Sequence, residues 1–329
     1  MNIKSPACYD VSHWKEISDF TKVDPKPLLF ITKASEAYPG SGFNHTDEKF
    51  IPFMTGFQSI GCLRGAYHFF RKAFDAKRQA DHFLSVISKT DILSTDLLIL
   101  DVEEGGEKAS QLWVWFESVR ALYPDNLLVL YSRANILNPI AMTVGEKVYF
   151  RKIWTWTAGY PFSPDLYSVC PSGYIPDQSK FGPVGLWQYS AHGAVTGIKG
   201  DVDLNWISPV FQAVIGTFEI GETMAINATG KCISSNNKVW TSIGGQVIGA
   251  FKSGDSVTID QEQTVSGVKY VHVFNSSLRG WSKATWFQYS VVVAPPPDPD
   301  PDAEPEPTTL PDFITAHWVN GQMKKYVPE

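Results

Sequence analysis

Leu97-Leu98-Ile99-Leu100 is an unbroken apolar run that stops at Asp101-Val102-Glu103-Glu104. Side chains alternate faces along a strand, so four apolar residues in a row bury both faces. Such strands belong to parallel sheets covered by helices. The flanking chain repeats the theme. Leu28–Thr32, Cys62–Phe70, Leu127–Tyr131, Lys152–Thr157 and Val184–Tyr189 read as further short strands. Between them, Asp75–Ser88 places Ala76, Ala80, Phe83, Leu84 and Ile87 on one helical stripe, and Lys108–Tyr123 forms a second helix stopped by Pro124. Strands separated by helices imply βαβ units and a parallel sheet or barrel over residues 1–210. In such barrels chemistry gathers at the C-terminal strand ends, where the acids of Asp101-Val102-Glu103 fall.

From about residue 213 the pattern changes. Helical periodicity fades, and short β-rich runs appear at Met224–Ile226, Ala250-Phe251, Ser256–Ile259, Val268–Val273 and Gly280–Ser282. Turn signals such as Asn236-Asn237 and Ser253-Gly254-Asp255 separate them, which predicts a small all-β domain over 213–290. Residues 294–311 are acidic and proline-rich and read as an extended linker. The tail, 312–329, is expected to be too short to fold alone.

A net charge of −6 and the lack of a dense Lys/Arg run argue against a nucleic-acid partner. Cys8, Cys62, Cys170 and Cys232 are scattered with no CxxC, so free thiols are expected rather than a zinc or redox site. No G-x-S-x-G, P-loop, G-x-G-x-x-G or histidine cluster occurs, and neither a cofactor nor a metal is expected. No apolar run reaches about 18 residues, so no membrane span is predicted. The N-terminus lacks the apolar core of a secretory signal. A chain made in the cytoplasm, and released by other means if it acts outside, is the expectation. The oligomeric state is not legible.

Asp101 and Glu103 stand two residues apart, so a strand through both puts them on one side, with Cβ atoms roughly 6–7 Å apart. Neighbouring carboxyls raise each other's pKa, giving one acid and one anion at the same pH, the equipment for cleaving a glycosidic bond. Acids also follow buried strands as helix caps, so the motif alone leaves both readings open. The 11 Trp, 13 Tyr and 20 Phe suit sugar platforms and apolar cores alike.

Seven segments in order carry a resemblance. Tyr9-Asp10-Val11-Ser12-His13-Trp14, Ile31–Glu36, Gly65-Ala66-Tyr67-His68-Phe69, Asp101-Val102-Glu103, Trp156-Thr157-Ala158-Gly159-Tyr160, Trp187-Gln188-Tyr189-Ser190 and Gly200–Asn205 resemble, in that order, the motifs of family 25 glycoside hydrolases, the Chalaropsis-type muramidases. The resemblance implies an α/β fold, a flattened TIM-like β/α barrel. It also implies bacterial peptidoglycan as partner, cleaved between N-acetylmuramic acid and N-acetylglucosamine. The β domain resembles bacterial SH3-like modules, an SH3-like barrel whose expected job is tethering to the wall.

Carried over by motif, Glu103 is the general acid. Asp101 either attacks the anomeric carbon or stabilises the substrate's own acetamide as it attacks, the substrate-assisted route being favoured. Asp10 and Asp203, on first and last strands, are expected to face the same cleft and to polarise it, fix the acetamide or position water, the alternative being that Asp203 with Asn205 only ties a loop. Tyr67 is a candidate for the acetamide, with core packing as the alternative. Trp156, Tyr160 and Trp187 are sugar platforms or core residues. Lys33 is a substrate contact or an ion-pair partner within the barrel. His68 reads as a satisfied barrel histidine, and Gln188 as a possible substrate contact. The lack of a signal resembles phage endolysins, released with a holin. The competing readings are a non-hydrolytic wall-binding protein using the same barrel and a chitinase-like enzyme.

Overall fold

Eight strands close a barrel in the computed structural model, which describes residues 3–38, 43–216, 223–243, 245–265 and 268–291, and the backbone of 316–319 and 322–325. In chain order these are β1 (Cys8–Val11), β2 (Leu29–Tyr38), then β3 (Phe43–Thr46), which hairpins onto β2 outside the ring, and α1 (Phe50–Ser59). Next come β4 (Leu63–Phe69), α2 (Ala76–Ile87), β5 (Leu97–Asp101), α3 (Ala109–Leu122) and β6 (Leu128–Ser132). Then follow α4 (Ala134–Leu137), α5 (Val144–Phe150), β7 (Trp154–Ala158), β8 (Val184–Gly193), β9 (Val202–Ile207) and α6 (Pro209–Ile215). The ring runs β1-β9-β8-β7-β6-β5-β4-β2 and closes through β1 on β2. All its pairings are parallel except those of β9, which lies antiparallel to both β8 and β1. With α4 and α5 short, fewer than eight full helices surround the ring among the described residues.

Strand alternation sorts the core. On β5, Leu98 and Leu100 face α2 and α3, packing with Phe83, Leu112 and Trp115. Leu97 and Ile99 face the barrel interior with Ile31, Val129, Trp156 and Leu186. Asp101 is next in that inward series, so it stands above Ile99 at the barrel mouth. The same parity turns Asp10, Tyr67, Tyr131, Trp156, Gln188 and Asp203 inward, one per strand. The expected helices Asp75–Ser88 and Lys108–Tyr123 appear as α2 and α3 with those residues as their caps, and Asp75 accepts from the Arg78 amide.

The second sheet contains β10 (Met224–Cys232), β11 (Val239–Trp240), β12 (Val247–Gly249), β13 (Ser256–Val265), β14 (Val268–Phe274), β15 (Arg279–Lys283) and β16 (Phe287–Val291), ordered β12-β11-β15-β14-β13-β10-β16. It is all-β, as expected. β11 and β16 escaped sequence reading, and Ala250-Phe251 lies just beyond β12 rather than in a strand.

Barrel and second sheet form one compact unit, Met1–Val292. Their seam lies on the loop that enters β5 from below, at the barrel end opposite the acids. Leu93 packs among Trp240, Ile243, Val265 and Tyr270. The Val247 amide donates to the Lys89 carbonyl at 3.0 Å, and Lys238 Nζ to the Ser88 carbonyl at 2.9 Å. Beneath it, the fully buried Arg64 holds Asp96 through two bonds and reaches the Asp91 carbonyl.

A separate unit, Val293–Glu329, contains β17 (Ala316–Val319) paired antiparallel with β18 (Gln322–Lys325). Both strands fall within the tail, 312–329. The proposed linker 294–311 lies outside the described residues. No helix among the described residues is long and apolar enough to cross a membrane.

Candidate active site

Four carboxyls line a pocket of about 180 Å³ at the C-terminal mouth of the barrel: Asp10, Asp101, Glu103 and Asp203. Asp10 and Asp203 sit directly opposite each other in the β1–β9 pairing. Tyr67, Trp156 and Tyr160 of the candidates line it too, together with Tyr131 and Gln188.

Glu103 is not on the strand. β5 ends at Asp101, and the Val102 amide still bonds the Tyr131 carbonyl at 2.9 Å before the chain leaves the sheet. Glu103 therefore comes from the first turn of the following loop and is more exposed than Asp101. The two carboxyls are hydrogen-bonded to each other. Burial raises the pKa of both. Asp101 rises well above the usual carboxylate range, its burial reinforced by the Glu103 charge. Glu103 is held back by the Arg133 charge, the bond from Asp101 and Lys33. Both carboxyls are thereby biased toward the protonated form. Asp101 Oδ1 is buried and has no hydrogen-bond partner among the described residues.

A second layer orients Asp10. Its Oδ2 accepts from Gln188 Nε2 at 2.9 Å and from Asn205 Nδ2 at 2.7 Å. Gln188 Oε1 in turn accepts from the hydroxyls of Tyr131 at 2.8 Å and Tyr160 at 2.5 Å. Asn205 Oδ1 accepts from Trp156 Nε1 at 2.7 Å. Burial pushes Asp10 up to about 6, against the pull of these two amide donors. Asp203 reaches about 8 through burial and the facing Asp10 charge. Desolvation and the neighbouring Asp101 charge raise the part-buried Tyr67 phenol well above its ordinary value, and it stays a donor.

The remaining candidates divide. Lys33 lies on β2, where its Nζ pairs with Glu36 Oε2 at 2.5 Å, so the intrabarrel ion pair is the role the structure gives it. Its charge reaches the Asp101–Glu103 pair from that position. Trp187 does not reach the pocket. Its parity on β8 is opposite to Gln188, so it is fully buried on the outer side with Tyr9, Phe30 and Tyr189, and donates Nε1 to the Gly159 carbonyl at 2.8 Å. As a sugar platform it is corrected to a core residue. His68 is buried between Ser35 and Gln79, with its pKa lowered to about 3 by burial, a neutral structural imidazole. Gln188, read as a substrate contact, lines the pocket and holds Asp10. Tyr131 and Asn205 were missed as site residues, and inward parity on β6 and β9 was the signal that could have found them.

A closed β/α barrel with two hydrogen-bonded carboxyls in a polar pocket has the equipment of a glycoside hydrolase. Residues 9–198 match the family described as Glycosyl hydrolases family 25, and the chain belongs to that family. It is similar to Lysozyme M1 of Streptomyces globisporus, 29% identical over 211 residues that cover 60% of this chain and 65% of that protein. It thus spans just under two thirds of that relative's length. The crystal structure of the bacterial lysozyme from Streptomyces coelicolor is 27% identical, with a TM-score of 0.50 covering 65% of this chain and 97% of that one. The spore cortex lytic enzyme SleM of Clostridium perfringens shares the fold at 16% identity, with a TM-score of 0.51 over 89% of this chain and 99% of that one.

Proposed function

We propose that this chain is a peptidoglycan muramidase that cleaves the β-1,4 bond between N-acetylmuramic acid and N-acetylglucosamine with the substrate's acetamide as nucleophile. The observation that carries the reading is the buried, unpartnered Oδ1 of Asp101 beside Glu103. A buried acceptor without a donor is costly, and a sugar acetamide N–H supplies one.

Once that N–H bonds Asp101, the Asp101 anion is favoured, and the proton of the pair is held by Glu103, the more exposed partner. Glu103 then protonates the leaving glycosidic oxygen as the acetamide oxygen attacks C1 and the C1–O bond breaks. The oxazolinium cation so formed lies against the Asp101 carboxylate. Water adds to C1, giving its proton to Glu103, and the acetamide re-forms with retained configuration. Asp10, held by Gln188 and Asn205, and the facing Asp203 supply negative potential for the oxocarbenium-like transition state. Tyr67 donates to the acetamide region.

For the second sheet the proposed role is attachment to the wall. In support, a groove of about 510 Å³ lies at the sheet end remote from the barrel seam, edged by Lys231, Thr258 and Gln288 with the part-buried rings of Phe274 and Tyr289. Release onto the wall by a phage-type lysis system completes the proposal.

The test is loss of turbidity of purified cell walls. The parent chain should clear them, and Glu103→Gln should lose about 10²–10⁴-fold in rate while still sedimenting with walls. A parent that binds walls of several chemotypes yet clears none would leave a lectin-like protein and sink the enzyme reading.

A further inference from the structure

We propose that a second cavity, joined to the catalytic pocket at Tyr160 and carrying Arg133, receives the lactyl-linked substituent at O3 of the muramoyl ring, and so selects peptidoglycan over glycans built of N-acetylglucosamine alone. The inference rests on the muramidase reading above and names a recognition element within it.

Tyr160 is a wall shared by two spaces. One is the 180 Å³ catalytic pocket. The other, about 320 Å³, lies between the C-terminal ends of β6 and β7 and is bounded by Arg133, Gly159, Gly173 and Tyr174. The smaller space holds the acids. The larger one, open to solvent, has room for a branch leaving the ring and a path for a peptide to exit.

The charge pattern points the same way. Four carboxyls occupy the catalytic pocket, whereas the adjoining cavity presents the exposed Arg133, the residue that follows β6. Its guanidinium stands over the Tyr160 ring at 5.5 Å from the centroid, at the junction of the two spaces. A guanidinium has five donors and no acceptor. An N-acetylglucosamine residue carries only a hydroxyl at O3. A lactyl ether ends in a carbonyl, amide-linked to a peptide or free as a carboxylate, and either is an acceptor suited to a guanidinium fork.

Two glycines shape the cavity. A Cβ on Gly159 would meet the Tyr174 ring at 2.2 Å, so the bare backbone there lets Tyr174 lie close and form the floor. A Cβ on Gly173 would meet nothing within 4 Å, so that position faces open space. A side chain at Gly173 therefore meets no clash at its Cβ, and a tryptophan there reduces the cavity without changing any charge.

The experiment compares the parent, Gly173→Trp, Arg133→Ala and Arg133→Lys. Steady-state rates are taken on intact walls and on glycan strands stripped of peptide by an amidase, which bear free lactyl carboxylates. N-acetylglucosamine hexamer serves as a competitive inhibitor. A hydrogen bond to a charged group contributes about 1.5–3 kcal/mol, a factor of roughly 10–100. The proposal expects KM to rise by about that factor for Gly173→Trp and Arg133→Ala on intact walls. The loss should be greatest for Arg133→Ala on stripped strands, with partial recovery in Arg133→Lys. The inhibition constant of the hexamer should be unchanged in Gly173→Trp. A role for Arg133 through Glu103 alone would instead move kcat and its pH profile and leave KM and Gly173→Trp untouched, overturning the proposal. So would an equal loss of hexamer affinity in Gly173→Trp. A parent that releases no muramoyl reducing ends overturns the muramidase reading and the subsite together. An active parent whose Gly173→Trp variant keeps its KM overturns the subsite alone.

Discussion

Replacing Asp101 with asparagine should make the protein more stable and nearly inactive, and the stability gain should depend on pH. Asp101 is 5% exposed, hydrogen-bonded to Glu103, and raised well above its ordinary value of 3.8 by burial and the Glu103 charge. A carboxyl whose pKa is raised on folding takes stability away from the folded state at pH 7. Asparagine is neutral at every pH and can still donate to Glu103, but it leaves its own buried carbonyl as short of a partner as Oδ1 is now. A net gain at pH 7 follows, on the order of the 1–3 kcal/mol that a buried, poorly satisfied polar group costs, or about 2–10 °C in melting temperature. The sign fixes the pH window. A carboxyl whose folded pKa is raised binds its proton more tightly in the folded state, so stability is full below about pH 4 and falls as pH rises. The advantage of Asp101→Asn should therefore be near zero at pH 4 and grow towards pH 7, by differential scanning calorimetry. Wall-clearing activity should fall about 10²–10⁴-fold. A variant less stable at pH 7, or a gain that does not change with pH, would refute this description of the pair. Retained activity would refute the role of Asp101 in it.

Asp203→Asn should flatten the stability profile between pH 4 and 8: Asp203 is raised to about 8, so the parent loses more stability across that window than the variant, in which Asp10 and Asp101 still titrate, and equal melting curves at pH 8 would contradict this. Trp187→Ala should cost about 3–5 kcal/mol in chemical denaturation while the folded fraction escapes the large rate loss of Glu103→Gln. A specific collapse of kcat in a stable Trp187→Ala would restore its sugar-platform role. Arg64→Met leaves Asp96 buried without its partner, and should cost about 3–5 kcal/mol. Because Arg64 reaches the loop on which the second sheet docks, barrel and sheet should still melt in one transition, and two separate transitions in the parent would contradict the shared seam.

Much of the barrel was legible because its signal is local. Four apolar residues in Leu97–Leu100 specify a strand buried on both faces, and the stripe from Ala76 to Ile87 specifies the helix that covers it. The pairing of Asp10 with Asp203 followed from closure, since first and last strands of a ring are neighbours. What escaped depended on parity or on tertiary contacts. Trp187 and Gln188 are adjacent and both plausible sugar contacts. Only the alternation fixed by Leu186 and the packing of Trp187 with Tyr9 decides that Gln188 faces the acids. Glu103 reads as a strand residue by spacing, yet the sheet ends at Asp101, and Glu103 gains exposure from the turn. β9 runs antiparallel because its approach from β8 is a hairpin rather than a helical crossover. In the second sheet, β11 has two residues and no periodicity of its own, and its place comes from Trp240 filling the seam against Leu93. Arg133 carries no motif at all; its meaning lies in the cavity it borders.

The central claim, muramidase chemistry at the Asp101–Glu103 pair, is tested most directly by mass spectrometry of borohydride-reduced products from purified peptidoglycan. The account predicts new reducing ends on N-acetylmuramic acid, formed by the parent and absent with Glu103→Gln. Reducing ends on N-acetylglucosamine, or muramoyl ends formed equally by the Glu103→Gln variant, would contradict it.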